Sequence, residues 1–162
     1  MPINTVSQNM KARTTTLKNR FGPERQLALT VAMEHFTASL AEFVLENPSI
    51  FDDIPDTFRQ MLIWHCIEEI EHKSVTFDVY QKTVNNLWMR RRVMVISMVS
   101  LFARIALFQA YMLIKTKHIP SWKEWRIAMT FFWGKKGILR ANLAGLRKFF
   151  AKDFHPSNID QN

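Results

Sequence analysis

The chain has 162 residues, 48% of them apolar and only 4 of them Gly, and carries a formal charge of +8. That length accommodates one domain with a sizeable core and does not call for two. Scarce Gly alongside abundant Met, Phe and Trp disfavours a turn-rich β architecture and points to an all-α fold, while the single Cys66 excludes an intrachain disulfide and suits a reducing, cytoplasmic compartment.

Residues 1–23 read as a polar leader or linker rich in Thr, Asn and Lys, with no apolar run before Leu27. Neither a cleaved secretion signal nor an N-terminal anchor is expected there. The helical domain is expected over 24–152, followed by a loose tail over 153–162. From Glu24 to Glu46 the residues Leu27, Val31, Glu34, Ala38, Ala41 and Leu45 recur in steps of four and three, which places them on one face of a helix, with Glu34 inside the seam. Asn47-Pro48-Ser49 ends that helix, and Asp56 is placed to cap the next one.

The second helix is expected from about Thr57 to Leu87, with a facing seam of Phe58, Leu62, His65, Glu69, His72, Thr76 and Val79. Two helices joined in this way form an antiparallel hairpin. Positions 65, 69 and 72 project from one helix face, so two imidazoles and a carboxylate can converge beside it. Glu69-x-x-His72 also has the spacing used by carboxylate di-metal bundles, in which a neighbouring helix adds a further Glu; Glu34 is the candidate. Such a donor set suits iron, or manganese.

A plainer account competes with this one. Ile63, Cys66, Ile67, Ile70 and Phe77 make an apolar stripe almost opposite the ionisable face, which would then meet water. Glu69 would pair with Lys73 and Glu68 with His72. The second helix alone does not separate the two accounts. Glu34 favours the metal, because a carboxylate in an apolar seam is unfavourable unless it is paired, hydrogen-bonded or metal-bound. His35 and Glu42 are weaker candidates, better read as hydrogen-bonding or surface residues.

After Arg90-Arg91-Arg92, residues 93–114 form an apolar segment long enough to span a bilayer, although Arg104 near its middle opposes simple spanning. A third long helix is expected, either buried against the bundle or lying on a membrane. Beyond Pro120, one or two short helices carry Trp122, Trp125, Phe131, Phe132 and Trp133 interleaved with Lys123, Arg126, Lys135 and Lys136. The positive charge clusters around these apolar and aromatic segments, and no nucleic-acid recognition motif is present. This arrangement suits an anionic membrane surface better than nucleic acid, and it competes with ordinary helix packing that leaves a basic outer face.

Several stretches resemble the family of predicted metal-dependent hydrolases, a ferritin-like group. They are Glu24-Arg25-Gln26-Leu27-Ala28-Leu29-Thr30, Ala32-Met33-Glu34-His35-Phe36-Thr37-Ala38, Trp64-His65-Cys66-Ile67-Glu68-Glu69-Ile70-Glu71-His72-Lys73 and Phe77-Asp78-Val79-Tyr80, with Gly137-Ile138-Leu139-Arg140 and Phe154-His155-Pro156 closing the match. The resemblance runs from about Glu24 to Asp160 and corresponds to the C-terminal part of the family only.

It implies a metal-dependent enzyme on a ferritin-like helical hairpin, half of a four-helix metal bundle, followed by a long apolar helix and short C-terminal helices. Glu34, Glu69 and His72 are the implied metal ligands, with His65 a further ligand or a hydrogen-bonding partner of one. No catalytic residue beyond these is assigned, and the substrate stays open. Oxygen activation by a di-iron site is as compatible with such donors as hydrolysis. Full-length members carry an upstream Glu and a Gln-Glu-x-x-His motif that residues 1–23 do not contain. The missing ligands are thus expected from a homodimer partner or a complementary N-terminal half; failing both, the chain would be a non-catalytic, membrane-associated or interaction remnant.

Overall fold

The computed structural model describes residues 21–135 and 137–158, and among them every regular element is helical. The leader expected over 1–23 lies outside the described residues as far as Arg20, and so do the last four residues of the tail. The elements are α1 (Pro23–Glu46), a 3-10 turn (Pro48–Phe51), α2 (Asp56–Thr83), α3 (Leu87–Thr116), α4 (Trp122–Trp133), α5 (Ile138–Phe149) and a closing 3-10 turn (Pro156–Asn158).

Helix ends follow local chemistry. Pro23 begins α1, where its missing N–H costs nothing, and Glu24 in the first turn complements the positive end of the helix dipole. Asp56 does not cap α2 as expected. It is the first residue of that helix, ion-paired with Arg59, while Pro55 occupies the cap position without a side-chain bond. α2 stops at Thr83, short of the expected Leu87, because Asn85 turns left-handed at φ 44° and Asn86 caps α3 by accepting from the Met89 N–H at 2.9 Å.

α1 is the central element, packed along α2 and also on α3 and α5. Ala28, Val31 and Ala32 of α1 meet Phe77 and Tyr80 of α2, Met94 and Met98 of α3, and Phe149 and Phe154. Small side chains on α1 let its neighbours approach closely. At Gly145 α5 comes close to α1: a Cβ there would stand 3.2 Å from Ser39 Oγ. The turn between α4 and α5 is tighter still, since a Cβ on Gly137 would lie 2.6 Å from the Phe132 carbonyl oxygen.

Two expectations change here. The tail is not loose from Asp153, because Phe154 enters the core, its ring 5.3 Å from that of Phe77, and His155 Nε2 lies 2.9 Å from Asp78 Oδ1. The third helix does not begin after the arginine triplet. α3 begins at Leu87 and so contains it, and Arg90 is buried at 1% exposure. Arg90 donates to the carbonyl oxygens of Phe149 at 3.1 Å and Ala151 at 2.6 Å, and Arg91 Nε donates to that of Phe150 at 2.8 Å. These are the orphan carbonyls at the end of α5, where the helix dipole is negative. Burial on the first half of α3 ends at Met98, and its second half and α4 contain no buried residue.

Candidate metal centre

The face of α2 that enters the interior is Cys66, Ile70, Lys73, Phe77 and Tyr80, with Lys73, Phe77 and Tyr80 fully buried. This face is rotated by one residue from the expected seam, whose ends Phe58 and Val79 are exposed. Much of the stripe read as opposite the ionisable residues is thus the packing face itself, because Phe77 and Tyr80 carry more apolar area into the core than Val79 and Thr76 could. Lys73 follows from the same rotation. It turns inward and pairs with Glu42 across the hairpin instead of with Glu69.

The ionisable residues therefore stand on the shoulder of the hairpin. Glu69, half-buried with its side chain 24% exposed, accepts a hydrogen bond from the Thr37 hydroxyl at 2.6 Å through Oε2, while Oε1 lies 3.5 Å from His65 Nε2. Glu34 faces this group from α1. Its carboxyl is held above the usual carboxylate range, first by burial and then by the Glu69 charge, with His72 pulling the other way. Glu34 Oε2 is buried without a hydrogen-bond partner among the described residues. His65 and His72 are the most open members, and His72 Nε2 lies 3.7 Å from Glu68 Oε2, the contact anticipated for a solvated face.

Glu34, Glu69 and His72 thus share one electrostatic neighbourhood, with His65 against Glu69. Among the described residues, however, no three His, Cys, Asp or Glu side chains come together closely enough to hold a metal ion. The donor chemistry fits a divalent cation, and the orphaned oxygen of Glu34 is the kind of atom a cation satisfies. The convergence within one chain does not amount to a closed site. Burial and the neighbouring Glu69 charge push the Cys66 thiol up, which disfavours the thiolate a nucleophile needs. His35 is a packing residue: buried, stacked on Phe149 at 4.9 Å, its Nε2 3.4 Å from the Gly145 carbonyl oxygen.

Thr37 had no part in the sequence-based assignment of the site, and Lys73 entered it only as an ion-pair partner of Glu69. Thr37 follows Glu34 by about one turn in the same helix, and a second polar residue at that spacing was its available signal.

The family model described as "Predicted metal-dependent hydrolase" matches residues 1–160. The chain belongs to that family. The match corrects the expectation of a resemblance beginning near Glu24 and limited to the family's C-terminal part: as a member of the predicted metal-dependent hydrolases, this chain aligns over nearly its whole length, leader included. No curated protein and no solved structure matches it.

Proposed function

We propose that the α1–α2 hairpin is a ferritin-like metal-binding element in which Glu34, Glu69 and His72 are ligands, iron or manganese is the metal, and His65 holds Glu69 in place. The observation that carries this reading is the buried, unpartnered Oε2 of Glu34 set beside Glu69 and His72 from the facing helix. Leaving a buried carboxylate oxygen unsatisfied costs stability, and a cation would reverse that cost. Thr37 fixes the Glu69 carboxylate by its 2.6 Å hydrogen bond, which orients Oε1 toward the open face.

When bound, the metal would polarise a water or a substrate carbonyl, the chemistry that family membership suggests. The Glu34 and Glu69 carboxylates would supply the negative charge and His72 the nitrogen donor, while His65, with its Nε2 3.5 Å from Glu69 Oε1, steadies that carboxylate at the open face. Two carboxylates for each imidazole also make a donor set suited to dioxygen chemistry, so an oxidase or oxygenase is the second reading. Oxygen uptake by metal-loaded protein separates the two.

Metal content after equilibration with manganese or ferrous iron under anaerobic conditions tests the proposal. Wild-type protein is expected to retain metal and to be stabilised by about 2–3 kcal/mol when free metal reaches a hundred times the dissociation constant. Glu34→Gln and Glu69→Gln are expected to abolish both effects, with Glu34→Gln also raising the melting temperature of the metal-free protein because its burdened charge is gone. Unchanged metal retention in the Glu34→Gln/Glu69→Gln double variant would refute the ligand assignment, and wild-type protein that retains no metal would favour a non-catalytic role.

A further inference from the structure

The second half of α3 and the whole of α4 are apolar, cationic and uncovered. Residues 87–116 have a mean hydropathy of 1.9 over their most apolar stretch, yet only 11% of that stretch is buried within the molecule. A core helix of that composition would be buried. Phe102, Ile105, Leu107 and Phe108 are instead 37%, 54%, 71% and 64% exposed and point in different directions around the helix, so no single neighbouring helix would cover them. In α4, Trp122, Trp125, Met129 and Phe132 follow the three-and-four spacing of one helix face, and all are exposed, Trp122 by 82%.

The charges on this region are positive with one exception. Arg104, Lys115, Lys117, Lys123, Arg126 and Lys135 face a single carboxylate between residues 93 and 135, that of Glu124. Glu124 is already engaged: it accepts from the Ser121 N–H at 2.7 Å and the Ser121 hydroxyl at 2.8 Å, and lies 3.3 Å from His118 Nε2. The surface thus offers long apolar side chains with uncompensated cations among them.

Topology adds a further constraint. α3 leaves the body of the protein after Met98, and the chain must return because α5 packs on α1 and its end is held by Arg90 and Arg91. Both ends of the exposed segment therefore lie on the same side.

We propose that the second half of α3 together with α4 is a docking surface for an anionic lipid bilayer, entered and left from one side, with the Lys and Arg side chains reaching up to lipid phosphates. A membrane-facing patch of this kind needs apolar area, interfacial Trp and cations at once, and all three are present here. One-sided insertion also removes the difficulty posed by Arg104, which need never cross the hydrocarbon centre. The surface is separate from the Glu34–Glu69–His72 group and does not depend on metal.

Co-sedimentation of the full chain with vesicles tests the proposal, using phosphatidylcholine alone and phosphatidylcholine with 30% phosphatidylglycerol. Binding is expected to be at least tenfold stronger to the anionic vesicles and to weaken with salt. The variant K115Q/K117Q/K123Q is expected to lose binding on the order of a hundredfold, and L107E/F108E to lose it on vesicles of either composition. Circular dichroism and melting temperature should be unchanged in both, since every substituted side chain is exposed. Wild-type protein that ignores both vesicles, or that sediments as a lipid-free dimer which L107E/F108E converts to monomer, would overturn the proposal and assign the surface to a second copy.

Discussion

His35 shows how little a polar residue's identity says about its role. It is buried between α1 and α5, facing Lys73 of α2 and Arg90 of α3, and burial pulls its imidazole down to about 4. The unfolded chain binds this proton near the ordinary value of 6.5. Below that value the unfolded state holds more protons than the folded one. Stability is therefore expected to fall as pH drops from about 6.5 to about 4 and to level off beneath, a loss on the order of 3 kcal/mol. Urea unfolding of wild type and His35→Gln across that window checks it: the variant should be less stable at pH 7 and show a flatter profile. An equal slope in both would assign the acid sensitivity to other groups.

Arg90 decides how the elements are tied together. Its guanidinium reaches two carbonyls at the end of α5 and lies 5.1 Å from the Phe77 ring, 5.2 Å from that of Phe149 and 5.6 Å from that of Phe154. α3 is thereby joined to α5, and the stretch Phe154-His155-Pro156 to Phe77-Asp78 on α2. Arg90→Met is expected to cost about 2–4 kcal/mol through the stranded carbonyls. Hydrogen exchange should then show α5 opening before α1 and α2. Arg90→Lys should recover part of the loss, because an ammonium can satisfy one carbonyl but lacks the planar fork that reaches two. Uniform loss of protection across all helices would mean that Arg90 contributes only to the general core.

For the whole molecule, the unclosed donor set raises the question of what surrounds it. Phe58, Met61, Trp64, Val75 and Val79 are exposed on α2 beside His65, Glu68 and His72. A second copy applied to this face by a two-fold axis would double the donors and cover the apolar residues together. Native mass measurement is expected to show a dimer in manganese that reverts to monomer on chelation, and Trp64→Glu should prevent dimerisation. Metal bound by a monomer with full retention would remove the need for the second copy.

The steps of four and three around Leu27 and Val31, and Pro and Asn at the helix ends, made the all-α class and the first helices legible in the amino-acid order, because helix periodicity is a local property. The Glu69-x-x-His72 spacing and the Glu34 of the first helix were legible for the same reason, and the Glu34 carboxyl feels the charges of Glu69 and His72, although among the described residues no three such donors come close enough to hold a metal. The rotation of α2 was not. Val79 and Phe77 lie on different faces of that helix and are both apolar, and only the competition for space against Ala28, Val31 and Met94 decides which one is buried. Nor could the order of residues reveal that Arg90 enters the core while Arg92 stays outside, since that depends on where the carbonyls of a helix nearly 60 residues later come to rest. Sequence determined the helices and the chemistry available on each; tertiary packing alone decided which side of each helix faces protein, because burial is a relation between segments and not a property of one.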